Sequence, residues 1–186
     1  ASNAAATLAF TNSAAITLPA SLFTGNINNL TIDGTGGITS GEDISIDGIL
    51  NLESANPSST KGSLDMSTFT LNMGANATTI GIGDVTGIIK REHVFLDNIE
   101  YTFGNQFTSF YFLGISGTTK PTWMSCKVVI GNVPSWRSSA LKRTYSFAQS
   151  GGNDRVITKI HYLDSEINPL ETNESEFLFW GAWPGP

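Results

Sequence analysis

The chain has 186 residues, 40% of them hydrophobic and only 14% charged, with a formal net charge of −6. That length suits one ordinary domain or two small ones. The acidic balance without a basic stripe argues against nucleic acid as a partner, and no apolar run is long enough for a membrane-spanning helix.

Ser, Thr, Asn and 19 Gly take the place of the missing charges. This mixture disfavours helices and favours strands and turns, as in secreted β proteins. The opening ASNAAATLAF has neither a positive n-region nor an apolar h-region, so no signal peptide is read there. Cys126 is the single cysteine, which leaves no internal disulfide and no Cys-rich metal site.

Up to about Gly87, apolar and polar residues alternate in short runs cut by Gly and Asn. The pattern predicts strands at 14–18, 28–33, 43–53, 64–73 and 78–82. In the third run Ile44, Ile46 and Ile49 are expected to point one way, with Leu50 and Leu52 continuing past Gly48. In the fourth, Leu64 and Met66 are followed by Phe69, Leu71 and Met73. Strand starts fall roughly 15–20 residues apart with no helical pattern between them, as in a β-solenoid.

From about Ile88 the texture changes. Eight of the 11 Phe and all four Trp and four Tyr lie beyond position 90. Strands are predicted at 88–96, 99–103, 107–113, 124–130, 141–148, 155–163 and 176–180, which suggests an antiparallel sandwich. Pro121, Pro134 and Pro169 fall between them, where proline is tolerated. Alternation puts Met124, Cys126, Val128 and Ile130 on one face, making Cys126 a buried core thiol. In 155–163, Val156, Ile160 and Tyr162 face in, and Arg155, Lys159 and His161 face out. The expected fold is therefore all-β: a short β-solenoid-like N-terminal half, residues 1–87, stacked on an antiparallel β-sandwich, residues 88–186.

Few residues promise chemistry. Thr31-Ile32-Asp33-Gly34 and Ser45-Ile46-Asp47-Gly48 repeat one shape, and stacked aspartates are a conceivable calcium or carboxylate-pair site. Asp-Gly is also an ordinary turn pair, and neither calcium-loop spacing is present, so turn punctuation is favoured. The acidic stretch HYLDSEINPLETNESEF reads as a solvated loop, with calcium held by Asp164, Glu166 and backbone carbonyls as the sharper alternative. His93 and His161 lack the spacing of a zinc pair. GISG (114–117) lacks a nucleophile elbow's spacing, and GIGDVTG (81–87) lacks a phosphate loop's context. Trp123 and Trp136, beside Pro121 and Pro134, are candidates for a sugar-stacking platform. The segment 6–20 is strand-like and uncharged, a first coil or an arm that pairs with a neighbour's edge. Its Leu8, Phe10, Ile16 and Leu18, with Trp183 of the apolar tail WGAWPGP, are the candidate assembly residues.

The stretch FTGNINNLTIDGTGGITSGEDISIDGILNLES, then GSLDMSTFTLNMG and Val85-Thr86-Gly87-Ile88-Ile89-Lys90-Arg91, resembles successive coils of very large secreted, adhesin-like surface proteins of Bacteroidetes-type environmental bacteria. YTFGNQFTSFYF (101–112) and LKRTYSFAQSGGNDRVITKIHYLDSEINPLETNESEFLFW (141–180) are similar to the segments C-terminal to those coils in the same proteins. The resemblance covers about residues 8–180. It implies a module of an extracellular adhesin, fibre or surface layer, and no catalytic residues.

The expectation is a non-enzymatic extracellular or cell-surface module, in its sharpest form the subunit of a surface filament. Its partners would be further copies, head to tail, or neighbouring modules of a longer chain, without nucleic acid and without membrane insertion. No cofactor is called for, calcium being the one ion left open. The alternative is a carbohydrate-binding module using the loop tryptophans. A glycan lyase on a β-helix needs basic residues beside carboxylates, and the first 87 residues hold one basic residue, Lys61.

Overall fold

The computed structural model describes residues 6–53, 63–133, 135, 138 and 140–167. Among these the chain is all-β, as expected. In order the strands are β1 (Thr7–Phe10), β2 (Ile16–Thr17), β3 (Asn29–Ile32), β4 (Ile38–Thr39), β5 (Ile44–Ile46), β6 (Ile49–Leu52) and β7 (Leu64–Met73). There follow β8 (Thr78–Gly81), β9 (Val85–Glu92), β10 (Tyr101–Thr102), β11 (Ser109–Phe112), β12 (Trp123–Ile130), β13 (Arg143–Gln149) and β14 (Val156–Lys159). A single 3-10 turn, Asp164–Glu166, closes the described chain.

Up to β9 the chain passes alternately through two parallel sheets. β1, β3, β6 and β8 pair in that order in one; β2, β4, β7 and β9 pair in that order in the other, with β5 also beside β7. Each pass lays its apolar residues over those of the last. Ile38, Leu64 and Val85 form one column and Ile44, Leu71 and Ile89 another, all at most 3% exposed. Leu30 over Leu50 and Ile32 over Leu52 do the same in the facing sheet. β9 is the seam. Its other edge takes β12, and β12 takes β13, both antiparallel. The change of texture at Ile88 thus falls inside a strand. A third, antiparallel sheet, β10–β11–β14, lies beside β8, where the Thr79 N–H bonds Thr102 Oγ1 at 2.7 Å. Its Tyr101, Phe103, Phe110 and Phe112 join the same core as the parallel passes.

Three details depart from the expected pattern. The run 43–53 is not one strand: Asp47 and Gly48 form the corner where the chain leaves the β5 side for the β6 sheet, so Ile44 and Ile46 are buried while Ile49 is 42% exposed. In β7 the switch from even to odd apolar positions marks a bulge. The register with β9 shifts between Asp65 and Thr70, and Ser67 adopts φ +53°. The register slips by three residues, and an odd slip flips side-chain parity, so Leu64 and Met66 before it, and Leu71 and Met73 after it, all face the core. The two-residue β4 and the edge strand β1 fall outside every predicted run, and the run predicted at 176–180 lies outside the described residues.

Candidate functional site

The two Thr/Ser-Ile-Asp-Gly motifs do not stack. Asp33 follows β3 in one sheet, Asp47 follows β5 beside the other, and both side chains are exposed. Asp47 accepts from Asn26 Nδ2 at 2.9 Å. Neither Gly34 nor Gly48 has positive φ, so turn conformation is not their role. They are needed because the neighbouring pass runs against them: a Cβ on Gly34 would lie 2.2 Å from Asn12 O, and one on Gly48 2.5 Å from Asn28 O.

The assembly residues divide. Leu18 is core, 4% exposed, drawn in by its N–H bond to Thr39 O at 2.9 Å. Phe10 and Ile16 are half-buried against the core, while Leu8, in the column over Leu30, is 38% exposed. Trp183 lies outside the described residues. Among the described residues β1 and β2 are edge strands of their two sheets, at the same end of the stack. Ala6 O and Phe10 O accept from Asn29 and Asp33 of the next pass. In a parallel ladder alternate residues bond to opposite neighbours. Thr7 and Ala9 therefore aim their N–H and C=O groups away from β3, at the open edge. Thr17 does the same on β2, since Ile16 and Leu18 donate to Gly37 and Thr39. A loop behind this edge is held firmly: the Glu42 carboxylate accepts from the N–H groups of Ser21, Leu22 and Phe23 at 3.1, 2.7 and 2.9 Å.

The calcium pair is not assembled as such. Asp164 is exposed, but Glu166 is 6% exposed and its carboxylate faces the Arg143 guanidinium, Oε2 to Nε and Oε1 to Nη2, both at 2.8 Å. The opposite side of Arg143 meets Asp84 at 2.9 and 2.8 Å, and Asn105 Nδ2 donates to the same aspartate at 2.9 Å. Burial would lower the Arg143 pKa, but hydrogen bonds to Asp84 and Glu166 outweigh it and raise it. Among the described residues no group of three His, Cys, Asp or Glu side chains is placed to hold a metal. The cluster was missed in the sequence because its members lie far apart. The available signal was phase: Arg143 alternates in step with Tyr145 and Phe147.

A second arginine is buried alone. Arg91, 0% exposed on β9, donates to Thr102 O at 3.0 Å, Gly74 O at 2.8 Å and Ala77 O at 2.6 Å, between the rings of Tyr101 and Phe103. Burial pulls its pKa down to about 10. It ties the turn after β7 to the antiparallel sheet.

Trp123 opens β12 rather than sitting in a loop. It is half-buried, opposite Glu92, with Lys90 Nζ 5.5 Å from the ring centre. Trp136 lies outside the described residues. His161 is not simply exposed: its half-buried ring packs on Phe107 at 5.6 Å and its carbonyl accepts from Tyr145 Oη. Burial lowers the pKa of both histidines. Cys126 is fully buried, as alternation predicts, and burial pushes its thiol up to about 12. A shallow groove of about 170 Å³ over the β7 bulge, lined by Asp65, Ser67, Thr86 and Lys127 among others, is smaller than the ~300–1,000 Å³ of small-molecule sites. Set against protein-family models, curated proteins and solved structures, the chain matches none.

Proposed function

We propose that the chain is a non-enzymatic structural or adhesive module that works outside the cell, continuing its two sheets into a neighbour across the β1–β2 edge. The observation that carries this reading is the edge itself. Among the described residues nothing pairs with the outward backbone groups of Thr7, Ala9 and Thr17 at one end of the stack, and Leu8, the end of an apolar column, is 38% exposed there. Soluble proteins protect such edges with charges, proline or a covering element. Residues 6–20 carry no charge, and the one proline there, Pro19, lies beyond both strands. The neighbour is a second copy joined head to tail, or an adjacent module. A heterologous contact of that kind builds filaments when its rotation does not close into a ring.

The test is light scattering with negative-stain microscopy, with and without calcium, on the chain and on Leu8→Lys and Ala9→Pro. Concentration-dependent filaments lost in both variants support self-assembly through this edge. A monomer under all conditions rules out self-assembly and leaves the adjacent-module form, checked by joining a further module at the N-terminal end and measuring stabilisation of β1.

A second reading rests on Trp123. Its half-exposed ring shares the outer face of β9 and β12 with Lys90 and Ser125, a flat aromatic and polar surface of the kind that stacks on a sugar ring. Tryptophan quenching by polysaccharides that disappears in Trp123→Ala would favour it; silence across a glycan panel would end it.

A further inference from the structure

Three loops converge on one side of the antiparallel sheet. Asp97 comes from the β9–β10 connection, Lys120 from β11–β12 and Asp154 from β13–β14. Lys120 Nζ is in contact with Asp97 Oδ1, and 3.4 Å from Asp154 Oδ2. The three side chains differ in exposure: Asp97 50%, Lys120 23% and Asp154 0%.

Both carboxylates are held in place by the backbone around them. Asp154 Oδ1 accepts the N–H groups of Ile115 at 3.2 Å and Arg155 at 2.8 Å. Its Oδ2 is buried without a hydrogen-bond partner and faces the amine. Asp97 bridges to Phe112, whose carbonyl accepts the Asn98 N–H at 2.9 Å. Gly114, at φ +66°, lies flat on the Asp97 carboxyl; a Cβ there would sit 2.4 Å from Cγ. The Phe112 ring, 1% exposed, forms an apolar floor 6.0 Å from the amine. An ordinary surface ion pair needs neither a buried third carboxylate nor a glycine pressed on its carbon.

We propose that Lys120 and Asp97 condense into an intramolecular amide cross-link, with Asp154 as proton relay. Asp154 Oδ2 takes one proton from the ammonium group. That proton passes to an Asp97 oxygen, and the neutral amine adds to Cγ of the now uncharged carboxyl, forming the N–C bond. The C–O bond then breaks, and the oxygen leaves as water with the two protons shed by nitrogen, passed through Asp154, which ends as it began. Nothing is oxidised or reduced and no co-reactant is needed. Fixing amine, carboxyl and relay together supplies the effective concentration such a condensation requires. The link would tie the β9–β10 loop to the β11–β12 loop beside the sheet that covers one end of the core.

The test is the intact mass of the full chain after denaturation. The expected mass is one water below that of the sequence, with Lys120→Ala and Asp97→Ala at their full sequence masses. Asp154→Asn is expected to fold and remain unlinked. Lys120 precedes Pro121, so trypsin passes it, and residues 92–127 form one peptide holding both partners. Fragmentation of that peptide should give no separated pieces from breaks between 97 and 120. A wild-type chain at full mass overturns the proposal. So does a water loss that persists in Lys120→Ala, which would be a succinimide at Asp97. Complete linking in Asp154→Asn overturns the relay.

Discussion

Arg143 lies between Asp84 and Glu166, bonded through two nitrogens to each, with its side chain 1% exposed. The ion triad joins the β8–β9 corner, the outermost strand of the long sheet and the turn after β14. Removing the cation leaves two buried carboxylates facing each other. Arg143→Met is therefore expected to lose about 3–5 kcal/mol in urea unfolding. Arg143→Met combined with Glu166→Leu and Asp84→Leu should recover much of that, because the uncompensated charges leave with the guanidinium.

Arg91 makes a different prediction, because among the described residues no carboxylate balances it. Arg91→Met strips donors from the carbonyls of Thr102, Gly74 and Ala77, and leaving buried acceptors unsatisfied costs about 1–3 kcal/mol each at most. A net loss on the order of 3 kcal/mol is expected, since removing the buried charge offsets part of it. The folded pKa of about 10 lies well below the ordinary guanidinium value. The folded chain therefore holds fewer protons than the unfolded chain between those values. This group's contribution to stability is lowest at neutral pH and rises as pH climbs above about 10 toward the ordinary guanidinium value. Comparing wild type with Arg91→Met across that range isolates it.

Cys126 runs the other way. Its thiol sits at about 12 in the fold against an ordinary 9.0. Between these values the unfolded chain has released the proton and the folded chain has not, so this contribution falls as pH rises through the window. At neutral pH the thiol should resist a maleimide until the protein unfolds, with a labelling rate that follows denaturant concentration. Fast labelling of the native protein would contradict the burial.

Ser67 tests the bulge. Its φ of +53° suits glycine, so Ser67→Gly should be neutral or slightly stabilising. Ser67→Val forces a branched side chain into that region and should cost about 1–3 kcal/mol. Deleting Ser67 is a harsher test: parity would flip, turning Leu71 and Met73 outward, and no cooperative unfolding transition should remain.

Much of this was legible in the sequence because strand burial follows a two-residue period. The run 64–73 matches β7 at both ends, and its change of phase at Ser67 encodes the bulge. Cys126 could be placed from Met124 and Val128 alone. The corner at Gly48 was not legible, because a strand that stops at Ile46 and another that starts at Ile49 leave the same alternation as one strand with a slip. The Asp-Gly repeats suggested stacking, yet coil-to-coil neighbours lie at separations that vary: Leu30 pairs with Leu50, but Leu50 with Thr79. The ionic cluster was invisible for a further reason. Asp84 and Arg143 are 59 residues apart, and no local pattern records so distant a contact.

β9 has a parallel neighbour on one side and an antiparallel neighbour on the other, and this gives folding a direction. The antiparallel pair β12–β13 closes a short connection, whereas the parallel pairings among β1 to β8 must first close loops of twenty residues or more. Nucleation belongs on the aromatic side, with β9 as the template on which earlier passes zip one by one toward β1. Amide exchange should then be slowest at Ile89 and Cys126 and quicken pass by pass toward Thr7. Force applied at the N-terminal end would peel passes away in that order and leave the aromatic half intact.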